Sequence, residues 1–282
     1  MLIICPTPIG NLDDVTPRQR DALAGADVIA CEDTRRTGKL LEHLGITRVD
    51  GKPALWRYDD HSADQQVDSL VKRVQGGDEV VLVSDAGTPT ISDPGYRLVR
   101  ACRKRGIAVT ALPGPVAAMV ALSGAGLPTD RFFFEGFLPT TTEKRRERLS
   151  ELGRMTATVI AYESPRRILG LLEDLEAVCG PGREICAARE LTKRFEEYLT
   201  GAVAEVRREL AARDEIRGEF VICIAPADSD EDEDDEWADA DRLIGALLEQ
   251  ELRSRTIKDV VSEMYDVPRS QIYDRIEALK GE

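Results

Sequence analysis

Two α/β units followed by a small helical module are predicted by three observations. Strand-like and helix-like runs alternate through the first 112 residues, and the alternation resumes after Pro113-Gly114-Pro115. An acidic tract then separates the last helical patterns from the rest. A chain of 282 residues exceeds one typical domain, and 42% hydrophobic residues suffice for real cores. The expected boundaries are 1–115 and 116–227 for the two units, 228–237 for an acidic linker and 238–282 for a helix-turn-helix-like module.

In the first unit, the apolar runs Leu2–Cys5, Val28–Cys31, Val80–Val83 and Ala108–Leu112 read as strands. Helical periodicity fills Pro17–Leu23, Arg35–Leu44, Ala63–Val74 and Tyr96–Lys104, which predicts a mostly parallel sheet covered on both faces. Val116–Ser123 is a small-residue helix. Strands then follow at Phe132–Gly136, Thr158–Tyr162, Glu184–Ala188 and Phe220–Ala225, with helices near Glu143–Leu152, Pro165–Val178 and Ala202–Ala212. Asp228–Glu236 lacks apolar residues and is expected to be a flexible tether. Helices are predicted at Arg242–Leu252, Thr256–Tyr265 and Gln271–Leu279, the last capped by Ser270.

Several classes are excluded by composition. No apolar run reaches the eighteen residues of a membrane span, and Met1–Cys5 is too short for a signal peptide and lacks a basic leader, so a cytosolic protein is expected. The six cysteines lie far apart in apolar runs and read as small buried hydrophobes; with only His43 and His61 beside them, no metal site is expected. Gly-x-Ser-x-Gly, Gly-x-Gly-x-x-Gly and Walker A sequences are missing. The net charge is −14, but residues 228–241 hold ten acids and no base, so the remainder carries only −4. Basic clusters at Arg103-Lys104-Arg105, at Lys144-Arg145-Arg146 with Arg148, at Arg166-Arg167 and at Lys193-Arg194 therefore leave RNA binding open.

Chemistry concentrates in loops at strand ends, where open α/β sheets bind ligands. Ser84–Gly95 joins a carboxylate, Asp85, to two glycines that admit close backbone approach and two prolines that stiffen the chain. Pro6–Leu12 follows the first strand and Glu163–Arg167 a strand of the second unit. Asp33 follows the second strand, where it either caps the next helix or faces the cleft. His61, in Asp59-Asp60-His61-Ser62, is either a surface residue or a titrating one.

Six segments in order then identify a resemblance. Thr7-Pro8-Ile9-Gly10-Asn11-Leu12, Glu32-Asp33-Thr34-Arg35, Ser84–Pro89 with Ser92–Gly95, Pro113-Gly114-Pro115, Tyr162–Arg167 and Arg189–Lys193 together resemble the tetrapyrrole methylase superfamily. Within it they are similar to the branch that methylates cytidine 2′-hydroxyls of small-subunit (16S) ribosomal RNA. The likeness implies a homodimer with S-adenosylmethionine held between two α/β domains. It implies cofactor contacts from Pro8, Ser84, Asp85, Thr88, Val116, Ala117, Glu163 and Pro226. The first loop has one glycine where the superfamily has Gly-x-Gly, and Ser84 replaces a glycine.

Methyl transfer is an in-line displacement, so the protein mainly aligns the incoming oxygen. A ribose hydroxyl needs a base, for which Asp33 is the first candidate and Glu163 or Lys193 the next. Arg35, His61, Lys144, Arg145, Arg146, Arg166 and Arg167 are the expected RNA contacts. The competing readings are a small-molecule tetrapyrrole methylase, which needs no basic clusters, and a non-enzymatic nucleic-acid-binding protein using the tail.

Overall fold

The computed structural model describes residues 1–59, 63–227, 237, 240–248, 250, 252–265 and 267–280. In the first unit the order is β1 (Leu2–Ile4), α1 (Pro17–Gly25), β2 (Val28–Cys31), α2 (Thr34–His43), β3 (Ala54–Arg57), α3 (Ala63–Gln75), β4 (Val80–Leu82), α4 (Tyr96–Lys104) and β5 (Val109–Ala111). The sheet runs β3-β2-β4-β1-β5 and every pairing in it is parallel. Strand alternation sends Leu2, Val28, Val80 and Leu82 to a core with α3 and α4, and Ile3, Ile29, Val81 and Val83 to a core with α1 and α2. Local chemistry starts the helices. Thr16 and Gln19 form a capping box around Pro17, and the Asp33 carboxylate caps α2 by accepting from the Arg35 amide at 2.8 Å.

The second unit comprises α5 (Ala117–Gly124), β6 (Phe132–Phe137), α6 (Thr142–Leu152), β7 (Thr158–Glu163), α7 (Ile168–Cys179), β8 (Glu184–Arg189), β9 (Glu197–Ala202), α8 (Val203–Ala211) and β10 (Phe220–Ile224). Its sheet, β6-β7-β10-β8-β9, is parallel only between β6 and β7. Helices α6 to α8 bury one face of this sheet and α5 the other. In the tail, α9 (240–248), α10 (Ser254–Met264) and α11 (Arg269–Lys280) enclose a separate cluster containing Ile244, Ile257, Val261 and Ile272.

The strands expected as unbroken apolar runs are all present, but β3 and β9 were not anticipated. Both are edge strands and only partly buried, so neither needs a continuous apolar run. Two boundaries are corrected: α7 begins at Ile168, after a turn over Pro165–Arg167, and Ser270 falls inside the first turn of α11 rather than capping it. The cysteines are free; five are buried and Cys179 is half-buried. Burial alone pushes Cys5 up to about 12 and is the main cause of the same value for Cys223, so these thiols are inert. No helix of the described residues is long and apolar enough to cross a membrane. His61 and the tract Asp228–Glu236 lie outside the described residues.

Candidate active site

Because β1 and β4 are parallel neighbours, the loops that leave them emerge side by side. Thr7 and Gly87 exchange backbone hydrogen bonds at 2.9 and 3.0 Å, which Gly87 permits by adopting φ +87°. Ser84 is buried beneath this junction, where its hydroxyl donates to the Gly87 carbonyl at 3.1 Å and its carbonyl accepts from Thr7 Oγ1 at 3.1 Å. Thr88 Oγ1 donates to the Pro115 carbonyl at 2.9 Å and so ties the loop to the start of the second unit. Gly10 lets the first loop approach the second unit closely: a Cβ there would lie 2.5 Å from Lys193 Cγ.

Asp85 joins its own loop to the segment that follows β2. The Asp33 amide donates to its Oδ1 at 3.2 Å, Arg36 Nη1 lies 3.1 Å from its Oδ2, and its own amide donates to Glu32 at 3.2 Å. Its negative charge is thus compensated without leaving the cleft, as a partly buried carboxylate requires.

Beyond Asp85 opens a cavity of about 550 Å³, within the range of small-molecule sites. Ile9, Val116, Ala117, Leu191 and Val221 supply an apolar wall from both units, while Asp85, Asp93 and Glu163 supply carboxylates. Tyr162 lines it too; its ring meets Phe134 and Phe137 edge-on at 5.1 and 5.6 Å, and its hydroxyl accepts from the Ala118 amide. Strain concentrates here. Of the five non-glycine residues with positive φ among the described residues, Thr90 and Ser92 lie in one bordering loop and Glu190 and Thr192 in the other. A smaller pocket of about 360 Å³ abuts the cavity and shares Arg36 and Asp85 with it.

The carboxylates differ in basicity. Burial, then repulsion from Glu32 and Asp85, pushes Asp93 up to about 6 against a weaker hydrogen bond from Ser84. The hydrogen bonds from the Arg35 side chain and amide hold Asp33 down at about 2. Glu163 is buried; its Oε1 accepts from the Ser164 amide at 2.7 Å. Its Oε2 lies 3.1 Å from the Arg167 guanidinium but off a hydrogen-bonding direction, so that oxygen has a compensating charge and no donor.

The structure brings Asp85, Thr88, Val116, Ala117, Glu163 and Lys193 together on the cavity wall. Pro8 and Ser84 face the smaller pocket instead. Pro226 is a correction. The cavity touches Phe220, paired with Glu163 in register, whereas Pro226 lies past Ile224 at the other end of the strand, about 20 Å away at 3.3 Å per residue. Two of the expected bases are engaged elsewhere. Asp33 lines neither pocket and is committed to its cap and to Arg35. Burial pulls the Lys193 ammonium down, but hydrogen bonds to Glu190 and Glu219, each 2.8 Å, outweigh it and hold the proton on.

Among the expected RNA contacts, Arg145 is corrected outright: it is buried and bonded through Nε to Asp174 at 2.7 Å. Arg146 shares that aspartate from an exposed position, and Arg167 donates to the Leu138 and Pro139 carbonyls. Lys144 and Arg166 are exposed, and Arg35 is bound to Asp33. Sequence reasoning missed Arg36, Asp93 and Tyr162. Arg36 was hidden beside Arg35, since only the phase of α2 decides which arginine faces the cleft.

Residues 1–207 match the family model described as Tetrapyrrole (Corrin/Porphyrin) Methylases. Solved structures agree on the fold. Cobalt precorrin-4 methyltransferase superposes with a TM-score of 0.57 at 16% identity, covering 79% of this chain and 94% of that one. Uroporphyrin-III C-methyltransferase from Thermus thermophilus, complexed with S-adenosylhomocysteine, gives 0.54 at 15% identity, covering 79% and 96%. Curated relatives are more specific. Ribosomal RNA small subunit methyltransferase I of Escherichia coli O157:H7 is 44% identical, covering 96% of this chain and 93% of its own. The protein of the same name from Mesorhizobium japonicum is 42% identical, covering 99% and 92%. The chain belongs to the tetrapyrrole methylases and, within them, to the ribosomal RNA small subunit methyltransferase I family.

Proposed function

We propose that the protein transfers a methyl group from S-adenosylmethionine to the ribose 2′-hydroxyl of a cytidine in small-subunit ribosomal RNA, in the cytoplasm and as a homodimer. The observation that carries this reading is a single cavity lined from both units, in a chain 44% identical over nearly its whole length to a ribosomal RNA methyltransferase. The residues present suit the cofactor. The apolar wall of Ile9, Val116 and Val221 matches a flat heteroaromatic ring, and Asp85 and Asp93 can accept from ribose hydroxyls or an ammonium.

The cofactor supplies the methyl electrophile. The chain's own residues align the incoming oxygen and exclude water, which the stiffened 84–95 loop and the apolar wall favour. Asp93 is the group best suited to take the hydroxyl proton. It lines the cavity, and a carboxyl held at about 6 exchanges its proton readily near neutral pH. Arg166 and Lys144, exposed on the second unit, neutralise phosphates.

The deciding experiment supplies labelled S-adenosylmethionine and small ribosomal subunits that lack the mark, followed by nucleotide mapping. Label on a cytidine ribose is the expected result. Label on a base, or transfer only to a tetrapyrrole, would replace this reading.

A further inference from the structure

We propose that the smaller pocket beside the cavity is the seat of the RNA backbone next to the ribose being methylated, with Lys39 and His43 holding its phosphates. The inference deepens the functional reading above and rests on it. Helix α2 sends Arg36, Lys39 and His43 to one face at spacings of three and four, and all three line the pocket. They span about 10 Å along the axis at 1.5 Å per residue, enough to follow a backbone rather than grip one ion. Pro8 and Leu12 of the first loop line the pocket as well.

Charge singles this pocket out on a chain with a net charge of −14. Asp85 is the only carboxylate among the described residues lining it, and Arg36 and the Asp33 amide already hold that group. Lys39 and His43 are exposed and make no ion pair among the described residues. The amino end of α2 is closed by the Asp33 cap, so the anion is met by the side chains along the helix and not by its free amides.

Position completes the assignment. The pocket meets the cofactor cavity at Arg36 and Asp85, which line both. A nucleotide whose phosphates rest on Lys39 and His43 therefore presents its sugar at the boundary, where a methyl group held in the cavity is delivered. Such contacts set register and carry no base preference.

The test uses the full chain with Lys39→Ala and His43→Ala, singly and together, and Lys39→Arg as the charge-retaining control. Binding to small subunits lacking the mark is measured across a salt series, alongside calorimetry with S-adenosylmethionine and thermal melting. The double variant is expected to melt as wild type and keep its cofactor affinity. It should bind RNA roughly tenfold more weakly near physiological salt, with a log–log salt slope shallower by roughly one to two, since each lost phosphate contact removes about 0.7–0.9. Lys39→Arg should restore the lysine's share, and the methylation defect should lie in KM. A double variant with wild-type affinity and salt slope overturns this site alone, provided wild type binds and methylates the subunits. Lost cofactor affinity at an unchanged melting temperature also overturns it, by assigning the pocket to the cofactor. If wild type itself neither binds nor methylates the subunits, the functional reading falls and takes this site with it.

Discussion

Arg36 with Asp85 and Arg145 with Asp174 are the same chemical pair in two settings. At the cleft, the Arg36 side chain is 68% exposed and Asp85 keeps 26% of its surface. Between α6 and α7, Arg145 and Asp174 retain 8% and 3%. The buried pair is fully engaged: Arg145 also donates to the Gly170 carbonyl, and Arg146 fills the other oxygen of Asp174. It holds two helices together and has no surface to offer a ligand. The cleft pair keeps surface on both partners, so each can still be reached from the cavity. Burial, and not residue type, distinguishes the two pairs and leaves only the cleft pair accessible to a ligand.

The largest expected effect is on the buried side. Asp174→Ala leaves Arg145 charged and without its partner, and should lower unfolding free energy by about 3–5 kcal/mol in urea titrations. Replacing both partners with apolar residues of similar volume should recover much of that loss. If the single substitution costs under about 1 kcal/mol, the two pairs are alike after all.

At the cleft the balance reverses. Asp85→Ala should leave the melting temperature nearly unchanged but weaken S-adenosylmethionine binding roughly 10- to 100-fold, the worth of a charge-assisted hydrogen bond. Calorimetry decides, and equal affinities would remove Asp85 from the site.

Asp93 sharpens the contrast through pH. Its folded pKa of about 6 lies above the ordinary 3.8, so the folded state holds the proton more tightly than the unfolded chain does. Its contribution to stability is therefore present at low pH and is lost as pH rises from about 4 through 6. The loss should stay below about 3 kcal/mol, because Asp93 is partly exposed and screened. Asp93→Asn should flatten the fall in urea midpoint between pH 4 and 7; a parallel curve would place the effect in another group.

Smaller still is the expected effect of Arg166→Ala. It should reduce the salt slope of RNA binding by about one without touching cofactor affinity, whereas an unchanged slope would mean this arginine meets no phosphate. Truncation after Ala227 should leave cofactor affinity intact while slowing methylation of the subunits. The described apolar residues of the tail pack in a cluster of their own, which motivates that expectation. Loss of cofactor binding would instead show that the tail supports the cleft.

Most of the architecture was legible in the sequence because a central strand buried on both faces must be an apolar run, and Val28–Cys31 and Val80–Val83 can be little else. The edge strands β3 and β9 were not, since half-buried strands with charged residues carry no such signature. The loop Ser84–Gly95 announced itself through glycine, proline and its aspartates, and it does border the cavity. What the sequence by itself determined was therefore whatever depends on near neighbours: buried strands, capped helices and the loops at their ends. Tertiary structure alone decided which charges are available. Arg35 and Arg36 are adjacent in the chain, yet helix phase turns only the second into the cleft. Lys144 and Arg145 are equally adjacent, and the packing of α6 on α7 buries only the second. Availability depends on what a distant segment places opposite a side chain, and that information is carried by no local pattern.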